Sequence, residues 1–267
     1  MQADTIKKII DPIRKKMPRY GTEKLHLDIR NQLQENGIKM GRDNFLKFCR
    51  GHHLLVPKTR RSFITTDSRH FYYKSPNRIK DLIPTHSEQV FVSDITYIKL
   101  QDQYAYLALV TDLYSKKIMG YKLDDNMKVG LVKDALQMAF KNREMKHETV
   151  IHHSDRGLQY CCPDYAEFAG NRGFILSTTE KYDPYENAVA ERINETLKYE
   201  FGLLKTIPSL RIANKMLKEA VHVYNNERRH CSIEMQTPAY AHTHQKHQYK
   251  SYKKKKPLPE GQPQECW

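Results

Sequence analysis

The sequence predicts an α/β protein with a mixed sheet, in which the elements follow the order βββαβαβα. Three successive segments alternate apolar and polar residues with the period of a β-strand, and short polar turns separate them. These segments are residues 90–100, 104–114 and 116–123. They predict an antiparallel meander, and the alternation of helical and strand-like segments after it indicates a sheet covered by helices.

The later elements follow from the spacing of their apolar residues. They are a helix over 128–141, a strand over 149–153, a helix near 163–169, a strand over 173–177, a helix carrying Glu191 and a helix over 210–225. The chain is therefore expected to contain a core domain over residues 88–205 and a helical extension over 206–245. A Lys-rich tail over 246–267 is expected to be disordered.

Residues 1–55 have helical periodicity throughout and are expected to form a small DNA-binding region. Two helices joined by a short Gly-containing turn are predicted, the first capped by Thr22 and the second basic, as in a helix-turn-helix. A plain helical hairpin with solvated charges explains the same pattern, so both interpretations stay open. The basic side chains expected to reach DNA are Arg42, Lys47 and Arg50.

Residues 56–87 lose all periodicity and gain charge, which is typical of a linker. Its basic residues alternate with aromatic ones, a composition that can follow a phosphate backbone and stack on bases. A tether that packs its aromatic rings on a neighbouring domain explains the same composition. The aromatic residues are Phe63, Phe71, Tyr72 and Tyr73.

The charge of the chain indicates a polyanionic partner. Lys and Arg number 45 against 31 Asp and Glu, a net charge of +14, and the pI is near 9.4. Nucleic acid is the first candidate and an anionic membrane the second. The mean hydropathy is −0.76, and neither a membrane-spanning run nor a signal peptide is seen, so a cytosolic location is expected.

The cysteines and histidines do not predict a zinc or disulfide framework. The five cysteines are odd in number and form no CxxC pair, so they are expected to be reduced thiols. A cluster of His242, His244 and His247 has metal-ligating residue types, but it lies in a polar stretch without a second cluster. A metal site there is not favoured.

The stretch 177–204 predicts a loop followed by a helix that presents a carboxylate. Asp183 suits the N-cap, Pro184 the first helical position and Glu186 the third position of a capping box. The helical phase gives one apolar stripe, made of Val189, Ile193, Leu197, Phe201 and Leu204. A second face carries Asn187, Glu191, Asn194 and Lys198.

Three carboxylates stand out along the chain. Asp94 lies in the middle of an apolar strand, where a charged group needs a partner, a metal ion or a chemical role. Asp155 directly follows a strand, a position that commonly faces a ligand, and Glu191 lies on the helix described above. They are separated by 60 and 35 intervening residues.

Three converging carboxylates can hold a pair of divalent cations. Mg²⁺, with Mn²⁺ as a possible substitute, prefers such oxygen ligands, and two ions can support in-line phosphoryl displacement. Lys198, two turns after Glu191, could hold a DNA phosphate, and Asn187 could steady Glu191 or touch the nucleic acid. Arg156, beside Asp155, is also expected to contact DNA.

Other residues compete for these roles. Asp112, Glu195 and Glu200 could be mistaken for the third acid. His152 and His153 could position water or DNA, and a structural role for them is at least as well founded. A third group could contact DNA or simply cap the last helix, and its members are Tyr224, Asn225, Arg228 and His230.

Several motifs in this order resemble a known family. They are DITYI at 94–98, HSDRG at 153–157, PYENAVAE at 184–191 and YNNERRH at 224–230, followed by Thr237-Pro238. In combination they resemble the second-frame (OrfB) transposases of the insertion-sequence-three family, over about residues 18–240. The catalytic domain of that family is similar to retroviral integrase, which implies a ribonuclease H-like fold for the core domain.

The resemblance implies that Asp94, Asp155 and Glu191 bind the catalytic metal ions. It also implies a multimer assembled on double-stranded DNA, at element ends and target, in the bacterial cytoplasm near the nucleoid. The family commonly has Arg-Pro-His where this chain has Arg228-Arg229-His230, and Gly-Asn where it has Tyr182-Asp183. The active form would be a fusion with, or a partner of, an upstream-frame protein.

The expected function is therefore a DNA transposase that exposes 3′-hydroxyls at element ends and joins them to target DNA. Two alternatives remain at this stage: a hydrolytic nuclease of the same fold, and a DNA-binding regulator with an inactive domain.

Overall fold

A five-stranded mixed sheet forms the centre of the molecule. The computed structural model describes residues 2–57, 71–146, 148–180 and 187–249. The strands are β1 (Val90–Lys99), β2 (Tyr104–Asp112), β3 (Ile118–Asp124), β4 (Val150–Ser154) and β5 (Phe174–Thr178). Their order is β3-β2-β1-β4-β5, with β1 to β3 antiparallel and β4 and β5 parallel to β1. The predicted meander and mixed sheet are confirmed.

Nine helices are described around this sheet. They are α1 (Gln2–Lys16), α2 (Thr22–Glu35), α3 (Arg42–Gly51), α4 (Val129–Lys141), α5 (Leu158–Cys161), α6 (Pro163–Gly170), α7 (Ala188–Glu200), α8 (Leu210–Asn226) and α9 (Pro238–His244). Sequence periodicity did not predict α5 and α9, because they are too short to show it. In the described ranges, no helix has the length and apolar character to cross a membrane.

Two local predictions at helix ends have different outcomes. Gly21, not Thr22, is the N-cap of α2, and no side chain caps that end. The cap and first turn predicted at Asp183, Pro184 and Glu186 lie outside the described residues, as do Phe63 and the tail beyond residue 249.

The two faces of the sheet pack against different helices. On β1, Phe91 points into a core shared with α4 and α6. Val92 and Ile98 point to the opposite face, into a core that contains α7 and α8 and continues into α1, α2 and α3. Because side chains alternate along a strand, Asp94 lies on the same face as Val92, the one covered by α7.

The last helices are tied to the first ones by a group of charges, the interhelical clasp, which consists of Lys24, Asp28, Glu200, Arg228 and Arg229. The guanidinium of Arg228 donates to both oxygens of Glu200, at 2.7 and 2.8 Å, and Lys24 lies 3.6 Å from Glu200. Arg229 forms an ion pair with Asp28. Arg228 is therefore buried within the protein, which argues against a DNA contact for it.

A buried polar network lies near the start of β1 and the end of β2. Its members are Glu88, Asp112, Ser115, Arg143 and His242. Ser115 Oγ donates to Asp112 Oδ1 at 2.6 Å and lies 3.0 Å from His242 Nδ1. His242 Nε2 is 3.3 Å from Glu88 Oε1, and Arg143 Nε is 3.4 Å from the other oxygen of that carboxylate, Oε2. All five side chains are buried, so the expectation that His242 belongs to a polar tail was wrong.

Gly120 on β3 allows α4 to lie directly on the strand. A Cβ at this position would lie 2.1 Å from the carbonyl oxygen of Ala135 and 2.6 Å from the amide nitrogen of Ala139. Those atoms belong to helix backbone, so the helix must shift as a whole. We expect Gly120→Ala to lower the free energy of unfolding by about 3 kcal/mol, measured by urea denaturation.

Gly130 provides the matched control, since it lies in α4 and a Cβ there meets no atom within 4 Å. Gly130→Ala is expected to raise the free energy of unfolding by up to about 1 kcal/mol, through helix propensity. Equal effects of the two substitutions would contradict the close packing assigned to Gly120.

Candidate active site

Strand register brings Asp94 and Asp155 to the same level of the sheet. Strands β1 and β4 are parallel neighbours, and Ser93 pairs with Ser154. The residue that follows each of these serines is an aspartate, Asp94 after Ser93 and Asp155 after Ser154. Adjacent strands are roughly 4.8 Å apart, so the two carboxylates lie side by side at the end of the β1–β4 pairing.

Two asparagines on the polar face of helix α7 bond to β1. Asn187 Nδ2 donates to the carbonyl oxygen of Ser93 at 3.1 Å. Further along, Asn194 Nδ2 donates to Asp94 Oδ2 at 2.9 Å. Glu191 lies between these two asparagines at helical spacing, so its side chain is expected to face the same part of β1.

The three carboxylates influence one another electrostatically. Burial raises the pKa of Asp94 to about 7, and the negative charges of Asp155 and Glu191 contribute to that rise, while the hydrogen bond from Asn194 opposes it. Burial also raises the pKa of Glu191, together with the charges of Glu195 and Asp155. The fold therefore brings the three acids predicted from sequence within electrostatic range of each other.

The acids do not by themselves form a closed coordination shell. Within the described residues, no group of three or more His, Cys, Asp or Glu side chains is already arranged to hold a metal ion. The three carboxylates nevertheless suit a hard cation, because such ions prefer oxygen ligands. Without a cation, the negative charges of these carboxylates repel one another. The side-chain oxygens of Asn187 and Asn194 are also buried there without a hydrogen-bond partner.

The two histidines that precede Ser154 and Asp155 link β4 to its neighbouring strands, one on each face of the sheet. His152 Nε2 lies 2.7 Å from Ser93 Oγ, which links β4 to β1. His153 Nδ1 lies 2.8 Å from Ser177 Oγ, which links β4 to β5. Both rings are fully buried, and burial lowers the pKa of His152 to about 3, so it is neutral. These contacts favour the structural role over a direct contact with water or DNA.

The competing acids have other positions. Asp112 belongs to the buried network and Glu200 to the interhelical clasp. Glu195 is exposed and lies 3.6 Å from Arg192 on its own helix. Within the described residues, Glu191 is therefore the acid of α7 whose charge acts on both aspartates.

The residues predicted to contact DNA lie in two places. Near the acids, Lys198 Nζ is 3.0 Å from Thr96 Oγ1 and lies over the ring of Tyr97. Arg156 donates to the carbonyl oxygen of Thr179. On α3, three basic side chains are exposed while Phe45 and Cys49 are buried. These exposed side chains are Arg42, Lys47 and Arg50.

Asn194 is the site residue whose role sequence reasoning missed. Helical phase placed it on the face of Glu191, but only the structure shows that it holds Asp94. We expect Asn194→Ala to lower both cleavage activity and the apparent affinity for Mg²⁺ by about tenfold to a hundredfold. Activity titrated against Mg²⁺ concentration checks this, with Asn194→Asp as a variant that adds charge and is not expected to rescue.

Comparison with known proteins agrees with this architecture. The family model described as Integrase core domain matches residues 84–184, and a second model of the same description matches residues 172–238. The chain is 33% identical over 222 residues to the IS600 uncharacterized 31 kDa protein of Shigella sonnei, covering 82% of this chain and 80% of that protein. It is 34% identical over 121 residues to the transposase InsF for IS3A of Escherichia coli K12, covering 45% and 42%.

The chain belongs to the insertion-sequence-three (IS3) family of transposases. Its core is an integrase core domain with the ribonuclease H-like fold that the sequence motifs implied. It functions as a transposase in the transposition of an insertion sequence. Among solved structures, the dimeric HTLV-2 integrase catalytic core domain in complex with magnesium is 15% identical, with a TM-score of 0.46, covering 61% of this chain and 99% of that one.

Proposed function

We propose that this transposase cleaves DNA at the ends of its element and joins the exposed 3′-hydroxyls to target DNA at Asp94, Asp155 and Glu191. The observation that carries the proposal is geometric: parallel pairing of Ser93 with Ser154 sets Asp94 beside Asp155, and helix α7, which carries Glu191, is bonded to the same stretch of β1 through Asn187 and Asn194. Acids that repel one another on a buried face of the sheet, as the raised pKa of Asp94 indicates, gain stability from a shared cation.

Two of the acids accept a hydrogen bond, and the third is positioned by its helix. Asp94 accepts a hydrogen bond from Asn194, and Asp155 Oδ1 accepts one from the backbone N–H of Gly157 at 3.0 Å. Glu191 is carried by α7, which Asn187 attaches to β1. Preorganised ligands of this kind hold reacting groups in place without reorganisation during the reaction.

The chemistry consists of two phosphoryl transfers. In the first, a water oxygen forms a bond to phosphorus while the bond to the 3′-oxygen of the element end breaks and that oxygen takes up a proton. In the second, the new 3′-hydroxyl loses its proton and attacks a target phosphate, whose own 3′-oxygen leaves. Two Mg²⁺ ions, when bound, would polarise the phosphate and lower the pKa of the attacking group.

The basic residues of the chain hold the DNA in this scheme. Lys198 and Arg156 lie next to the acids and suit phosphates adjacent to the reacting one. The exposed side chains of α3 suit a more distant stretch of duplex, reached by the predicted helix-turn-helix. Joining two element ends also calls for at least two copies of the chain, assembled on DNA in the cytoplasm.

Labelled element ends incubated with the protein and Mg²⁺ test the proposal, both for this chain and for a fusion to the upstream-frame protein. Joined products support it. Shortened products without joining would favour the hydrolytic nuclease, and binding without any cleavage in either form would favour the regulator.

A further inference from the structure

Three consecutive aromatic side chains lie exposed on the surface of the protein. They form what we call the aromatic segment: Phe71, Tyr72 and Tyr73, with exposed fractions of 108%, 42% and 79%. Among the residues that the structure describes, no packing accounts for rings as open to water as those of Phe71 and Tyr73. Contiguous exposed apolar groups typically mark an interaction site, and the alternative that these rings pack on a neighbouring part of the chain does not hold for Phe71 and Tyr73.

The chain that follows the aromatic segment is attached to the end of strand β5. Thr178 Oγ1 donates to the carbonyl oxygen of Ser75 at 2.6 Å. The backbone N–H of Arg78 donates to Ser177 Oγ at 2.9 Å. Lys80 Nζ lies 3.0 Å from a carboxylate oxygen of Glu180. These bonds fix residues 75–80 relative to the sheet and so place the aromatic segment, which directly precedes them, near the end of β5.

That attachment point lies next to the candidate active site. Thr178 pairs with Ser154, the residue before Asp155, on the neighbouring parallel strand. The path from Asp155 to Tyr73 therefore consists of one residue of β4, one strand spacing, the hydrogen bond from Thr178 to Ser75 and two residues of chain, a distance of at most about 20 Å. A phosphate at the acids and a base at the aromatic segment can belong to the same few nucleotides.

Two basic side chains lie along this path. Arg156, the residue after Asp155, donates to the carbonyl oxygen of Thr179. Lys74 directly precedes Ser75, whose carbonyl oxygen accepts from Thr178 Oγ1. The whole chain has a net charge of +14, which disfavours a second copy and favours a polyanion as the occupant.

We propose that the aromatic segment stacks on unpaired bases of the DNA strand whose reacting phosphate lies next to Asp94, Asp155 and Glu191. Open aromatic faces bind the faces of bases, which a duplex keeps stacked and only an unpaired strand exposes. Lys74 and Arg156 bind the phosphates between the stacked bases and the acids. The inference rests on the proposed function, because it extends the same DNA site.

The test measures binding and stacking without catalysis. The full-length protein, in EDTA, is titrated into a blunt duplex and into the same duplex with a short single-stranded extension that contains 2-aminopurine. We expect tighter binding of the extended duplex and quenching of 2-aminopurine. In the double variant Phe71→Ala with Tyr73→Ala, affinity for the extended duplex should fall about fivefold to tenfold, with affinity for the blunt duplex unchanged.

Two further variants make the result specific. Phe71→Trp with Tyr73→Phe keeps the rings and should retain the quenching. Tyr240→Ala removes a ring with an exposed fraction of 49% on α9, remote from the acids, and should change nothing.

The possible failures can be told apart. If neither the wild-type chain nor its fusion to the upstream-frame protein binds either duplex, the proposed function fails. If the wild-type protein binds both but the double variant keeps the preference and the quenching, only the stacking inference is overturned. If the double variant instead changes the sedimentation of the free protein, the aromatic segment is a contact between copies, and the stacking inference is overturned as well.

Discussion

Asp155→Asn is expected to abolish cleavage and joining while leaving DNA binding intact. The substitution keeps the size of the side chain and an oxygen that can accept from the N–H of Gly157, but it removes one of three charges available to a cation. Losing several kcal/mol of transition-state stabilisation corresponds to a fall on the order of 10³-fold in rate. Single-turnover cleavage of labelled DNA measures it.

The same substitution should stabilise the protein in the absence of metal. Asp155 contributes to the raised pKa of Asp94, which means that the two charges destabilise each other in the folded state. Removing one is expected to raise the free energy of unfolding in EDTA by roughly 1 kcal/mol. In wild-type protein, added Mg²⁺ should raise the melting temperature, and this increase should be lost in the variant.

Asp102→Asn is a suitable control, because Asp102 is an exposed acid in the turn between β1 and β2. It should alter neither activity nor the response to Mg²⁺. Wild-type rates in Asp155→Asn would show that the three acids are not the catalytic site. Loss of DNA binding together with activity would show that the variant is damaged more widely.

Glu88→Gln is expected to be among the most destabilising single substitutions in this chain. Glu88 accepts hydrogen bonds from the backbone N–H groups of Glu144 and Met145, and it pairs with Arg143 in a region without solvent access. A neutral amide leaves the Arg143 charge buried without its partner, at a cost of about 3 to 5 kcal/mol. Urea denaturation at neutral pH checks this value.

The effect of Glu88 should also depend on pH. Burial alone would raise its pKa, but hydrogen bonds from His242 and from the two backbone N–H groups lower it to about 2. A group with a lowered pKa in the folded state stabilises that state above its ordinary pKa, and this stabilisation is lost as the pH falls towards 2. The ordinary pKa of a glutamate is 4.5. As the pH falls from that value towards 2, the wild-type protein should therefore lose on the order of 3 kcal/mol of the stabilisation that Glu88 provides.

Unfolding of the wild-type protein and of Glu88→Gln, measured over this pH range, separates the effect of Glu88 from general acid denaturation. The difference in unfolding free energy between wild type and Glu88→Gln should shrink as the pH falls from about 5 to 3. Glu144→Gln, whose exposed side chain lies next to the same loop, is the control and should show a small, nearly constant difference. A constant difference for Glu88→Gln would contradict the lowered pKa.

Much of this fold could be predicted because its elements are long and strongly periodic. The strand around Asp94 and the helix from Leu210 were found within one or two residues of their observed ends. The three acids could be proposed from residue type and order. Their proximity depends on the parallel pairing of β1 with β4, which joins segments about 60 residues apart and leaves no local signal.

The polar partners could not be predicted for the same reason. Glu88 meets His242 across 154 residues, and Arg228 meets Glu200 through the docking of two helices. Before folding, each looks like an ordinary charged or polar residue, and Arg228 was weighed as a DNA contact. Only burial and geometry distinguish such a structural ion pair from a solvated or functional charge.

The interhelical clasp has a consequence for biosynthesis. Asp28 leaves the ribosome long before Arg229, which follows it by 201 positions. At typical translation rates that interval is roughly 10 to 40 seconds. During this time the part of the core that the first helices share with α7 and α8 is incomplete, so we expect the nascent chain to depend on chaperones until α8 has been made.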